Sequence, residues 1–288
     1  MQMWETAVLQ WLQSLRGAVL TPLFEGITVL AEETVLVLVL AVLFFAFDKA
    51  AAKRLLFITM ASMTLNGVVK NLVQRPRPFE VGAVSGVRTD TATGFSFPSG
   101  HTQNLATWST AGAWMLRRTW AWILSAVLIA AVAVSRMFLG AHYPSDVLVG
   151  AVLGVGLSML GSALYDRVRH TSRLYLVTSA VLLPFAVGFA FVPDPRMADF
   201  YKFYGMLAGL AAAAPFEERF VKLELTVSLW KKAVRIAAVI AAVLGIKLLF
   251  ACIPAAGVWV FVSDFARSAV MILAALGLCP WAFKRLHL

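Results

Sequence analysis

Apolar residues run in long blocks along this chain, broken by short polar interruptions. A helix needs about 20 mostly apolar residues to cross a bilayer. Runs of that kind fall at approximately 27–47, 53–72, 101–117, 120–140, 145–165, 174–192, 200–215, 234–253 and 265–282, the one at 200–215 being short. Ahead of them, Met3, Val8, Leu9, Trp11, Leu12 and Leu15 recur at helical spacing among Glu5, Gln10, Gln13 and Arg16. That pattern predicts an amphipathic helix lying in the membrane interface rather than a span. The polar residues among these apolar positions and the lack of a basic start argue against a cleavable signal peptide. Neither an internal repeat nor a low-complexity linker interrupts the series.

Composition agrees with the pattern. Hydrophobic residues make up 60% of the chain and charged residues 14%, against about a quarter charged in soluble domains, and the mean hydropathy is +0.81. The expected class is an integral membrane protein, all-α, a polytopic transmembrane helical bundle. Cys252 and Cys279 lie in apolar surroundings near the C-terminus and give neither a disulfide framework nor a metal spacing. The net charge of +10 is scattered in short clusters between apolar runs instead of lining one face, so no nucleic-acid partner is expected.

The basic clusters speak to orientation. Lys49, Lys53 and Arg54, then Arg117 and Arg118, then Arg167, Arg169 and Arg173 all fall on one side if the spans alternate. Arg219, Lys222, Lys231, Lys232, Arg235, Lys284 and Arg285 join them, and the positive-inside rule makes this side cytoplasmic. Three polar stretches share the opposite side: KNLVQRPRP (70–78), FPSGHTQN (97–104) and SRMFLGAHYPSD (135–146). Meeting at one membrane depth, they can build a single site.

Residue types define its chemistry. Lys70, Arg77 and Arg136 are fixed cations, with Arg75 and Arg88 as additional candidates, and guanidinium forks match phosphate oxygens. Ser99 is placed to cap the helix that follows, and Gly100 lets the backbone come close, so a positive helix end faces the same point. The expected ligand is a phosphate. His142 stands four residues before Asp146, one helical turn away, so the carboxylate can orient the imidazole. A histidine oriented in this way can attack phosphorus, and His101 opposite can protonate the departing oxygen.

Lys70-x6-Arg77-Pro78, Pro98-Ser99-Gly100-His101 and Ser135-Arg136-x5-His142-x3-Asp146 together resemble the three-part signature of the type 2 phosphatidic acid phosphatase (PAP2) superfamily, with every position matched in order. The resemblance covers roughly residues 50 to 165. It implies that His142 forms a phosphohistidine, that Asp146 is its charge-relay partner and that His101 is the general acid. It further implies that Lys70, Arg77, Ser99, Gly100 and Arg136 bind phosphate, and that the cations supply the charge stabilisation a metal gives elsewhere. No metal and no cofactor are expected. The expected organisation is an N-terminal interfacial amphipathic helix over 1–26, a PAP2-like catalytic core over 27–170, and additional C-terminal transmembrane helices over 171–288.

Other polar residues admit two readings each. Asn66, Gln103 and Asn104 either steady the site or make ordinary interhelical hydrogen bonds. Glu32 and Glu33 either line the entrance to the site or mark a break in the first span, since an unpaired carboxylate inside the membrane is costly. His170 and His287 fall in basic stretches and are expected to be solvated, while Lys247, Asp264 and Arg267 read as a structural polar set or as an outer boundary. Phe95, Phe97, Trp108, Phe138 and Tyr143 are expected to pack around the motif stretches or join an aromatic belt.

The expected activity is a membrane lipid phosphatase acting on an amphiphilic phosphomonoester or diphosphate at the outer face of a bacterial plasma membrane. Undecaprenyl diphosphate ranks first as substrate, ahead of phosphatidic acid, phosphatidylglycerol phosphate and sphingoid phosphates. The same motifs also serve a lipid phosphotransferase, and the spans beyond the core leave room for a transporter or binding protein without turnover. Association into a homodimer is left open.

Overall fold

The structure is a computed structural model that describes residues 3–192 and 194–288. The first two residues of the expected N-terminal helix therefore lie outside it. The described residues are helical, joined by turns and loops, with no strand among them. Among the described residues, six helices are long and apolar enough to cross a membrane, and a bent pair adds a seventh if it counts as one span. The chain divides into two compact units, Met1–Leu36 with Leu65–Ala163, and Val37–Thr64 with Leu164–Leu288.

The first unit carries all three motif stretches. It contains α1 (Met3–Ser14), α2 (Leu20–Val29), the start of α3 (Glu33–Val42), the end of α4 (Lys49–Val73), α5 (Gly100–Leu116), α6 (Thr119–Phe138) and most of α7 (Pro144–Arg167). Helix α6 packs against α5, α2 and α1. Helix α5 has 17 residues, and it buries Thr102, Gln103, Asn104, Thr107 and Thr110. Such polar side chains suit protein neighbours better than lipid.

The N-terminal region departs from a single interfacial helix. Helix α1 turns Glu5, Leu9 and Leu12 inward and leaves Met3, Trp4, Trp11 and Leu15 exposed. Leu12 joins Phe138 and Leu139 in a small core with Val8 and Phe24 against it. Arg16 fixes the end of this helix by donating to the Phe138 carbonyl at 2.6 and 3.1 Å and to Ser85. A second helix then begins at Leu20 and meets the next segment at a bend of 47°. Between these pieces lies Glu32, whose carboxylate pairs with Arg88 at 2.6 Å. The ion pair thus sits at the bend, where the first span is broken rather than continuous.

In the second unit, α9 (Ala198–Phe216) forms the interior and packs against α8 (Thr171–Ala190) and α11 (Val258–Leu273). Helix α10 (Leu229–Ala251) packs on α11, and α12 (Cys279–Arg285) closes the chain. Leu176, Val177, Val181, Leu183 and Val187 of α8 remain exposed, as lipid-facing residues do. Lys49 and Lys53 pair with Glu217 and Glu218, and Arg54 pairs with Asp166. Lys284 and Arg235 bond to carbonyls at Val221 and Glu224, so these cations gather at one end of the unit. Helix α11 starts at Val258, earlier than the apolar run expected from 265. Asp264 and Arg267, three residues apart, pair at 2.5 Å and so let the helix run through both charges.

Candidate active site

Close approach of α7 to the start of α5 assembles the site. A Cβ on Gly150 would stand 2.7 Å from the Ser99 carbonyl oxygen, and one on Gly154 would stand 2.6 Å from the Ala106 Cβ. Glycine at both positions lets the two backbones touch. The Ser99 amide in turn donates to the Asp146 carbonyl at 2.9 Å, fastening the Pro98–Gly100 turn to the first turn of α7. Ser99 caps α5, its hydroxyl accepting from the Thr102 amide at 3.5 Å. Pro144 opens α7, where its missing N–H costs nothing.

His142 lies in the short linker between α6 and α7 and is buried. Arg77 Nη1 stands 3.1 Å from its Nε2. A guanidinium only donates, so Nε2 accepts and the ring proton of neutral His142 is on Nδ1. Nδ1 faces Asp146 Oδ2 and the Ser96 hydroxyl, each at 3.5 Å. Asp146 Oδ2 also receives Ser96 Oγ at 2.5 Å and the Tyr143 amide at 2.9 Å. Burial, then the charges of Arg77, Lys70 and Arg136, hold the His142 imidazole well below its ordinary pKa, and the Ser96 bond opposes them. The result is a neutral imidazole with its Nε2 lone pair turned toward cations.

Lys70, Arg77 and Arg136 are all buried. Lys70 donates to the Phe95 carbonyl, and Arg77 to the carbonyls of Gly94, Ala141 and Thr93. Carbonyl groups orient these side chains without cancelling their charge. Arg136 Nη1 donates to the Thr28 hydroxyl at 3.1 Å, while its Nε and Nη2 are buried without a hydrogen-bond partner. His101 sits on the first turn of α5 with its Nε2 likewise buried and unpartnered. The charges of Arg136, Arg77 and Lys70 act on it. Unpartnered donors around fixed positive charge favour an anion. Among the described residues, no group of three or more His, Cys, Asp or Glu side chains is placed to hold a metal.

The remaining candidates separate. Asn66 Nδ2 donates to Gln103 Oε1 at 2.8 Å and approaches the Pro98 carbonyl at 3.5 Å, so this pair braces the Pro98–Gly100 turn. Asn104 instead ties α5 to the break before α3, through the Ala31 carbonyl at 2.9 Å. Glu33 occupies the first turn of α3, where a carboxylate complements the helix end. Three partners escaped the sequence reading. Ser96 precedes the matched motif by two residues, Thr28 comes from α2, and Glu5 comes from α1. Only Glu5 left a trace, as an acid among apolar positions. Arg75, read as one more phosphate cation, instead binds Asp146 Oδ1 at 2.7 Å.

In this helical membrane bundle, buried cations stand around a histidine that faces a carboxylate. Residues 51–170 match the PAP2 superfamily, and residues 201–288 match the PAP2 superfamily phosphatase, transmembrane extension. The chain thus carries a PAP2 superfamily domain followed by a PAP2 transmembrane extension, and it is an integral membrane protein. Decaprenylphosphoryl-5-phosphoribose phosphatase of Mycobacterium tuberculosis is 45% identical over 87 residues, 30% of this chain and 46% of the relative. Undecaprenyl-diphosphatase of Sulfolobus acidocaldarius is 33% identical over 102 residues, 34% of this chain and 48% of the relative. The chain thus spans about half the length of these curated relatives. A crystal structure of a transmembrane PAP2 type phosphatidylglycerolphosphate phosphatase from Bacillus subtilis aligns with a TM-score of 0.49 at 25% identity, covering 58% of this chain and 86% of that one.

Proposed function

We infer that this protein removes phosphate from a polyprenyl lipid phosphate or diphosphate without a metal, through a phosphohistidine on His142. The observation that carries the reading is the His142 environment: Arg77 at 3.1 Å from Nε2, and Asp146 with Ser96 behind Nδ1. In the proposed reaction Lys70, Arg77, Arg136 and the Ser99–Gly100 amides hold the equatorial phosphate oxygens. His142 Nε2 attacks phosphorus while the bond to the leaving oxygen breaks, and His101 donates a proton to that oxygen. The imidazole becomes cationic as the N–P bond forms, and Asp146 stabilises it. Water, activated by the now neutral His101, then attacks the phosphohistidine and releases inorganic phosphate.

The polyprenyl preference is supported by the two relatives whose names carry decaprenyl and undecaprenyl groups. A site among membrane-spanning helices also suits a substrate whose chain stays in lipid while its phosphate reaches headgroup depth. The basic clusters support a site on the outer face of a bacterial plasma membrane, by the positive-inside rule. In this reading α1 is an adjunct to the catalytic core, and the C-terminal helices from 171 onward form a separate membrane part.

The test is phosphate release by the purified chain across undecaprenyl diphosphate, phosphatidic acid, phosphatidylglycerol phosphate and a sphingoid phosphate, with and without an acceptor lipid. Release from the polyprenyl substrate, unchanged by chelators and abolished in His142→Ala, is the expected result. Full activity in His142→Ala would reject the nucleophile. Product appearing on the acceptor lipid in place of free phosphate would make the enzyme a phosphotransferase.

A further inference from the structure

Asp146 is held from behind by a line of charges that begins in α1. Its Oδ1 accepts from Arg75 Nη1 at 2.7 Å, and the other terminal nitrogen, Nη2, donates to Glu5 Oε2 at 2.6 Å. Glu5 Oε1 closes the loop by accepting from the Ser145 hydroxyl at 2.5 Å and the Ser145 amide at 3.1 Å. The Arg75 guanidinium lies over the ring of Tyr143 with 3.9 Å to its centroid, which fixes its plane beside the residue next to His142. Glu5 is 1% exposed and Asp146 is fully buried. Glu5 also lies outside the residues that match the family.

The arithmetic of charge gives this line a purpose. Arg75 alone beside Asp146 would make a neutral pair and leave little negative charge to stabilise the His142 imidazolium. Glu5 divides the guanidinium between two carboxylates, so the group of three stays net negative. Its second effect is geometric. With Oδ1 fixed by Arg75, Oδ2 can face only Ser96, the Tyr143 amide and His142 Nδ1. We propose that Glu5 and Arg75 are positioning residues for the phosphotransfer step, Glu5 acting through Arg75 to aim Asp146 at His142 and keep its charge available to the imidazole. This rests on the phosphatase reading above.

The experiment uses the full chain in detergent, with phosphate release from undecaprenyl diphosphate as the readout. Glu5→Gln is expected to lower kcat about tenfold, the scale of one charge-assisted hydrogen bond, with KM within about twofold. The double variant Glu5→Gln with Asp146→Asn is expected to match Asp146→Asn alone within about twofold, because the effect passes through Asp146. A wild-type kcat in Glu5→Gln overturns the proposal. So does a full additional loss in the Asp146→Asn background, which would mean that Glu5 only docks α1. Should Glu5→Gln fail to fold, Arg75→Lys serves instead, since one ammonium cannot fork between both carboxylates. The same loss in kcat at constant KM is expected there, and wild-type kcat overturns the proposal. If the wild-type chain releases no phosphate from any lipid in the panel, the phosphatase reading falls and this one with it. An active wild type with an indifferent Glu5 removes the positioning role alone.

Discussion

Gly150→Ala tests the assembly of the site through one methyl group. The added Cβ would stand 2.7 Å from the Ser99 carbonyl oxygen, and ordinary contact begins at 3.4 Å, so α7 and the Ser99 turn must separate by about 0.7 Å. Backbone lies on both sides, so no flexible side chain can yield. That displacement works directly on the 2.9 Å bond between the Ser99 amide and the Asp146 carbonyl, and through it on the spacing of the proposed phosphate ligands and nucleophile. A misplacement approaching 1 Å costs catalysis about a hundredfold, so a fall in kcat of about ten- to a hundredfold is expected. Overpacking should also cost about 1–3 kcal/mol in stability. Two neighbours on the same helix calibrate the result. Gly156→Ala meets nothing within 4 Å and is expected to retain wild-type kcat. Gly154→Ala meets the Ala106 Cβ at 2.6 Å and the Gln103 carbonyl at 2.7 Å, one turn farther from the chemistry, and is expected to lose stability with a smaller loss in kcat. Phosphate release and thermal melting of the purified variants measure both quantities. Wild-type kcat in Gly150→Ala would refute the claim that this contact sets the catalytic geometry.

His101→Ala is expected to slow substrates with poor leaving groups by about a hundredfold or more, and an activated aryl phosphate far less, because general acid catalysis matters most where the departing oxygen is basic. Equal losses on both substrates would remove the acid role. His142 faces Arg77, Lys70, Arg136, His101, Asp146 and Ser96, and burial with the three cations lowers its pKa. In the proposed mechanism the neutral form attacks phosphorus, so lowering its pKa would keep it competent to more acidic pH. Its titration, followed by imidazole NMR, is expected below the ordinary histidine range and to move upward in Arg77→Gln; a downward move would contradict the electrostatic account.

The three motif stretches were legible because each carries rare polar residues at fixed offsets within lipid-compatible runs. Lys70, Arg77, Ser99, His101, Arg136, His142 and Asp146 all come into one unit by that route. What the linear pattern hid was contact across long separations. Glu5 meets Ser145 from 140 positions away, and Thr28 meets Arg136 from 108. Arg75 looked like its neighbours Lys70 and Arg77, yet its partner is Asp146, a distinction that only side-chain direction makes. The bend before α3 was foreshadowed by Glu32 and Glu33, but its partner Arg88 lies in a loop without periodicity. The early start of α11 was hidden because a hydropathy reading scores Asp264 and Arg267 separately, whereas the helix presents them joined.

That joined pair bears on biogenesis. A charged side chain near the centre of a span opposes membrane insertion by about 2.5–3.5 kcal/mol, and the i to i+3 spacing of Asp264 and Arg267 lets a single turn offer the translocon a compact dipole in place of two ions. Helix α11 thus carries its own counter-ion into the bilayer. Removing both residues would leave a plain apolar segment, whereas removing one would strand the other charge in the bilayer.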